Sequence, residues 1–321
     1  MIFAEWAIDE AEGAILAYTL VTKAESVRKG TLLTENHIKA LKRAGINRVV
    51  AARLEPNDIG EDEAALIIGQ SLIEDMIEAG PATTGRVNLF ARSNGLFSVD
   101  VAGIDKINLL DPRISVATLN NLSRVESGQM VATVKIIPFA VPGSLIGNIR
   151  TVLETKQVLK VHSFEKTRLG VIQSRLPSVR ETVLDKTHEL ITKRVQHNCG
   201  SVIAETRVAH ETAPLSTAIS ELSTSCDLLI IFSASAVADE IDIVPRSIVQ
   251  AGGEILRIGI PVDPGNLLSL GKLNGKYIIV APGTARSARE NSLDQVLDRL
   301  MAGLALDSDA LARMGVGGLL L

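Results

Sequence analysis

Apolar residues follow two rhythms along this chain: short alternations in the N-terminal half, and a repeating strand–loop–helix pattern from Arg168 onward. In the first half, Ala14–Val21 (AILAYTLV) predicts a strand. Thr34 predicts the cap of a helix over 35–44, with Leu33 and Ile38 as its hydrophobic staple and Gly45 as its stop. Asn47–Arg53 predicts a strand. Ala64, Ile67, Ile68, Leu72 and Ile73 recur at helical spacing, so a helix is expected over 61–79, broken by Gly80-Pro81. The stretch 85–142 reads as extended and β-rich, with Asp100, Asp105, Asp111 and Arg113 as solvated turn residues. Pro138 and Pro142-Gly143 punctuate it, and a domain boundary is expected after residue 146, giving regions 1–146 and 147–321.

A helix over 145–155 and a strand over 158–162 should lead into the second half. Strands are then expected at Leu169–Gln173, Ser201–Glu205, Leu228–Phe232, Glu254–Ile260 and Tyr277–Val280. Ser178 and Glu181 suggest a capping box for a helix reaching His197. Further helices are expected to start at Pro214, Pro245 and Ser287. Strands this apolar need cover on both faces, which predicts an α/β, doubly wound, mostly parallel sheet after a mixed, β-rich α+β region. No sequence repeat is present, and the tail Gly315–Leu321 reads either as a docked end or as a contact with another subunit.

Composition narrows the function. At 321 residues, 46% hydrophobic and 22% charged, the chain suits two or three folded domains. A net charge of −4 without a basic block, and only 3% aromatics, argue against a nucleic-acid surface. Cys199 and Cys226 form no CxxC and read as small core-type residues. No apolar run of about 18 residues and no signal-peptide pattern is found, so a reduced cytoplasm is expected.

In an open parallel sheet, ligands bind beyond the carboxyl ends of the strands. The sequence places Ser174, Arg175 and Pro177 there after the first strand, and Ala209, His210 and Glu211 after the second. The turn Ser233–Asp242 follows the third, Pro261–Asn266 (PVDPGN) the fourth, and Pro282–Arg286 (PGTAR) the fifth. Small residues admit a ligand to the backbone; Arg175, Arg286 and Arg289 suit an anion; carboxylates suit a divalent ion such as Mg²⁺ or a proton acceptor. Each piece also has a structural reading: Asp242 as a helix cap, Asp239 as a turn residue, His210-Glu211 as a helix entry, and PVDPGN as a rigid turn. No GxGxxG or P-loop occurs, and the histidines do not cluster, which argues against a zinc site.

CDLLIIFSASAVADEIDIVP, followed by GIPVDPGN and APGTARSARENSLDQVLDRL, resembles the molybdopterin-binding domain family over Arg168–Gly303. That family includes molybdopterin adenylyltransferases, molybdopterin molybdotransferases and competence-damage-type proteins. KGTLLTENHIKALKRAGINRV and EPNDIGEDEAA more loosely resemble the preceding domains of molybdotransferases. The resemblance implies a cytoplasmic, homo-oligomeric protein of molybdenum cofactor biosynthesis that binds molybdopterin or its nucleotide form. Mg-dependent adenylyl or molybdate transfer, a non-catalytic binding module serving a separate nucleotidyltransferase, and a nucleotide pyrophosphate hydrolase all remain open. It implies Asp242 and Glu211 as the acids, with Asp242 toward the metal. It implies Ser233, Ala234, Ser235, Asp239, Pro264, Gly265, Pro282, Gly283, Thr284 and Arg286 around the ligand. The family's enzymes carry GGxGxxxxD at the turn, where this chain has Ala234-Ser235-Ala236-Val237 before Asp242 and no glycine.

Overall fold

The computed structural model describes residues 1–23, 26–153 and 157–320. They form two compact units, Met1–His162 and Ser163–Leu321. The first runs β1 (Ile2–Ala7), β2 (Ile15–Leu16), β3 (Leu20–Val21), β4 (Ser26–Val27), α1 (Glu35–Arg43), β5 (Arg48–Arg53), β6 (Asp58–Gly60), α2 (Glu61–Leu72), β7 (Ile77–Ala79), β8 (Arg86–Ala91) and β9 (Gly95–Val99). It continues through α3 (Val101–Leu110), β10 (Ile114–Thr118), β11 (Ser123–Val125), β12 (Met130–Ile136), β13 (Ala140–Pro142), α4 (Gly143–Leu153) and β14 (Leu159–Ser163).

α1 opens at Thr34, whose N–H donates to His37 Nδ1 at 3.2 Å. It closes in a Schellman turn, with Ile46 N–H on Leu41 O, Gly45 N–H on Lys42 O, and Gly45 at φ +81°. The expected strand over 14–21 is split, because the chain leaves β5 after Ala17 to make the β3–β4 hairpin. The helix expected over 61–79 stops at Leu72; Ile77–Ala79 pairs with β8 instead, burying Ile77. A helix, α3, stands inside the stretch expected to be extended, and it buries Ile104 and Ile107. The units divide at 162/163 rather than after 146. Leu145, Ile146 and Ile149 of α4 and Leu159 and Val161 of β14 belong to the first unit's core, and β14 pairs beside β9. Thr155, the expected end of that helix, lies outside the described residues.

The second unit runs β15 (Arg168–Arg175), α5 (Glu181–His197), β16 (Ser201–Ala209), α6 (Thr212–Ser223), β17 (Leu228–Phe232), α7 (Ile243–Gln250), β18 (Glu254–Ile258), β19 (Ser269–Leu273), β20 (Lys276–Ala281), α8 (Ser292–Met301) and α9 (Ser308–Ala312). One six-stranded sheet, ordered β16-β15-β17-β20-β19-β18, is parallel except for β19. α6 and α7 pack one face through Leu215, Ile219, Val244 and Ile248 on Ile172, Ile231 and Val280. α5 and α8 are tied together by Arg194–Asp294 and Asn198–Asp298 on the other face. The α/β class expected from the apolar strands is thus the fold observed.

Three details depart from the sequence reading. β19 was not expected; it turns into β20 through Asn274 (φ +51°) and Gly275 (φ +79°), a two-residue loop with both φ positive. Arg180, not Ser178, precedes α5, because Glu181 is drawn to Arg175 at 2.6 Å and Arg207 at 2.8 Å. α6 and α7 begin two residues ahead of Pro214 and Pro245, positions where the missing N–H costs nothing because first-turn amides have no helical partner. Among the described residues no helix is long and apolar enough to cross a membrane.

Candidate functional site

β15 sits between β16 and β17. The chain leaves β15 toward one side through α5 and returns past it through α6 to the other. That reversal opens a crevice at the carboxyl ends of β15 and β17, the usual ligand position in doubly wound sheets. Gln173, Phe232 and Ala281 stand side by side there in register.

Arg286 reaches into this crevice from the 3₁₀ turn Gly283–Arg286 that follows β20. Its Nη1 donates to Thr187 Oγ1 at 2.7 Å and Gln173 Oε1 at 3.3 Å; its Nη2 donates to Ser233 O at 3.3 Å. The guanidinium carbon lies 5.4 Å from the centre of the Phe232 ring. All these partners are neutral, and burial alone pushes the guanidinium pKa down. Among the described residues three of its five N–H donors are used, which leaves two for a ligand. The fully buried Gln173 is itself fixed by Leu184 O and Glu205 Oε1, each at 2.8 Å.

Arg194 on α5 shapes the turn from outside. Its guanidinium donates to Ala285 O, Ser287 O and Arg289 O at 2.6–3.1 Å and to Asp294 Oδ1 at 2.8 Å. Beside the crevice, buried Ser174 Oγ accepts the Ala234 N–H at 2.9 Å and meets His210 Nδ1 at 2.9 Å. His210 and Glu211 then line a groove of about 430 Å³ with Arg175, Leu176, Pro177 and Val179.

The remaining sequence candidates divide by location. Ser235, Gly283 and Thr284 are exposed, and a Cβ on Gly283 would meet open space. Asp239 Oδ1 accepts the Ile241 N–H at 2.9 Å within its own turn, and Asp242 Oδ1 accepts the Ile243 N–H at 2.7 Å at the start of α7. Pro264 O accepts the Ser292 N–H at 3.0 Å, and Gly265 O accepts from Ser292 Oγ at 2.6 Å. Pro282 O accepts the Ala285 N–H at 3.0 Å. Thus Ser233, Ala234 and Arg286 converge at the switch point, Glu211 lies in the neighbouring groove, and Pro264 and Gly265 brace the start of α8. That helix begins at Ser292 under an Asn291 cap rather than at Ser287. The tail docks here as well: Asp263 N–H donates to Gly318 O, and Leu320 N–H to Asp263 O, both at 2.8 Å.

No hydrogen bond among the described residues joins Asp242 to Glu211, and no three His, Cys, Asp or Glu side chains gather as a metal site there. One Asp242 oxygen is committed to the helix start. Within the glycine-free turn Val237 is buried against the core of α6 and α7, while Ser235, Ala236 and Ala238 are exposed. Sequence reasoning missed Arg194 and Thr187, helix residues with no motif around them. Gln173 carried a signal, as a polar residue within an apolar strand.

Residues 5–53 match the model of a domain of unknown function (DUF8806). No curated protein matches the chain. Among solved structures, a molybdopterin biosynthesis MoeA protein from Pyrococcus horikoshii aligns at 13% identity and TM-score 0.30, over 98% of this chain and 77% of that one. The molybdopterin biosynthesis enzyme MoaB from Thermus thermophilus aligns at 18% and 0.32, over 43% of this chain and 97% of that one. A CinA protein of unknown function from Thermoplasma acidophilum aligns at 11% and 0.31, over 42% and 98%. None of the three reaches a TM-score of 0.5, so the functional reading rests on the chain's own residues.

Proposed function

We propose that the second unit binds molybdopterin or its nucleotide form, with the ligand's phosphate at Arg286, and that the chain serves molybdenum cofactor biosynthesis. The observation that carries this is a half-buried guanidinium at the switch point, ringed by neutral acceptors, with two N–H donors left over. A cation desolvated without a counter-ion gains most from an incoming anion. The PVDPGN and PGTAR loops and the acidic turn, in that family's order and spacing, supply the identity of the anion.

The turn favours a carrier over a transferase. Val237 is buried where the family's enzymes have glycines, and Asp242 is engaged as a helix cap. A carrier would hand its ligand to a separate nucleotidyltransferase. In this reading Ser233, Ala234, Ser235 and Thr284 approach the ligand, while Pro264, Gly265 and Pro282 set the shape of the rim.

Titration of molybdopterin into wild type, Arg286→Gln and Asp242→Asn tests the proposal. Arg286→Gln is expected to weaken binding by about 1.5–3 kcal/mol, roughly tenfold or more, because a charged hydrogen-bond donor is lost. Asp242→Asn should bind as wild type. Unchanged affinity in Arg286→Gln refutes the site, and adenylylation or molybdate insertion by the isolated chain refutes the carrier form.

A further inference from the structure

The first unit holds a second pocket, of about 450 Å³, built from four separate segments. Lys29 comes from the turn after β4, Glu61 from the start of α2, Thr84 from the β7–β8 connection and Arg86 from the start of β8, and Lys135, Ile137 and Phe139 from β12 and the segment after it. Three cationic side chains face one carboxylate in a chain whose net charge is −4. Lys135 is committed, 3.5 Å from Glu61 Oε2 and 2.5 Å from Thr84 O. Lys29 lies 5.6 Å above the Phe139 ring, and neither it nor Arg86 has a carboxylate partner among the described residues. Both are exposed, so two cations without a carboxylate partner stand at one pocket, an arrangement that suits an incoming anion.

We propose that this pocket binds a phosphate-bearing small molecule, with Lys29 and Arg86 on the phosphate oxygens and Ile137 as the apolar wall. Arg86 supplies planar, two-pronged recognition and Lys29 a point charge. Lys135 is a positioning residue: its bonds to Glu61 and Thr84 O hold the Thr84–Arg86 turn, where Thr84 (φ +50°) and Gly85 (φ +70°) are both left-handed.

The experiment is calorimetric titration of the full chain with inorganic phosphate, pyrophosphate and ATP at low salt. Saturable binding is expected for pyrophosphate, weakening at least about tenfold in Lys29→Gln/Arg86→Gln and by several-fold in Arg86→Lys, which keeps the charge and loses the two-pronged geometry. The same titrations in Arg286→Gln, which removes the phosphate contact proposed for the second unit, isolate the component that belongs to this pocket. Tighter binding of ATP than of pyrophosphate would support a nucleotide ligand, and the reverse order a bare polyphosphate. Binding that persists in Arg286→Gln and survives the added double substitution, or no saturable binding of any of the three probes, overturns the proposal. Both side chains are exposed, and an unchanged circular dichroism melt confirms that a lost signal is not lost folding.

Discussion

Gly265→Ala is expected to cost far more than an ordinary surface glycine substitution. Gly265 has φ +114°, which an L-residue rarely adopts. An added Cβ would also meet Ser292, its Oγ first, then its Cβ at 2.8 Å and its N at 3.0 Å. Strained backbone contributes of order 1–3 kcal/mol. Displacing Ser292 disturbs two hydrogen bonds, to Pro264 O and Gly265 O, worth about 1 kcal/mol each. The sum is about 3–5 kcal/mol. Gly275→Ala is the control: φ is +79° and nothing lies within 4 Å of the new methyl, so only the conformational cost of about 1–2 kcal/mol applies. Hydrogen exchange of the β20 amides under increasing urea reads the second unit alone. Equal losses in the two variants would refute the claim that Ser292 and the PVDPGN loop hold each other.

Further outcomes follow from other contacts. Burial, reinforced by Lys160 and opposed by Glu74, holds His162 below its ordinary value of 6.5. The unfolded chain therefore protonates first, and the first unit should lose stability as pH falls through about 6.5; His162→Gln should flatten that loss in urea midpoints followed by Trp6 fluorescence. Arg113 holds the Asp111 carboxyl at about 2, so the stability from this pair should vanish only as pH falls from 3.8 toward 2, and Asp111→Asn should remove that part of the acid limb. Arg194→Lys should weaken ligand binding several-fold, and adding Arg286→Gln should then cost less than it does alone; strict additivity would show that the two arginines are uncoupled. Asp242→Asn should leave stability within about 0.5 kcal/mol, since Asn caps as well as Asp, while Asp242→Leu should cost about 1 kcal/mol by thermal melts.

The sequence displayed the second unit well because its core strands are continuous apolar runs: Leu228–Phe232 is both the expected and the observed strand. β19 was hidden because Ser269–Leu273 carries Gly271 and Lys272 and little apolar contrast. Its signal was Asn274-Gly275, a turn pair that reads as a hairpin once the runs on either side are weighed. α3 was hidden for the opposite reason: the alternation of LFSVDV carried the extended reading across Asp100, where the period changes to Ile104 and Ile107. Candidate residues on the strand-end loops could be placed by topology alone, but the side chains that hold Arg286 and its turn could not. Thr187 and Arg194 lie about 100 residues away in the chain, and only the packing of α5 brings them near.

Arg194 has an energetic consequence for whatever arrives at Arg286. Three backbone carbonyls of residues 285–289 are already held by one side chain, so the segment keeps little freedom to lose when a ligand docks. The entropy of ordering a loop, about 1–2 kcal/mol per residue, falls on folding rather than on association. Affinity at this rim should then track the quality of the charge contact itself, and free and bound chains should superimpose there.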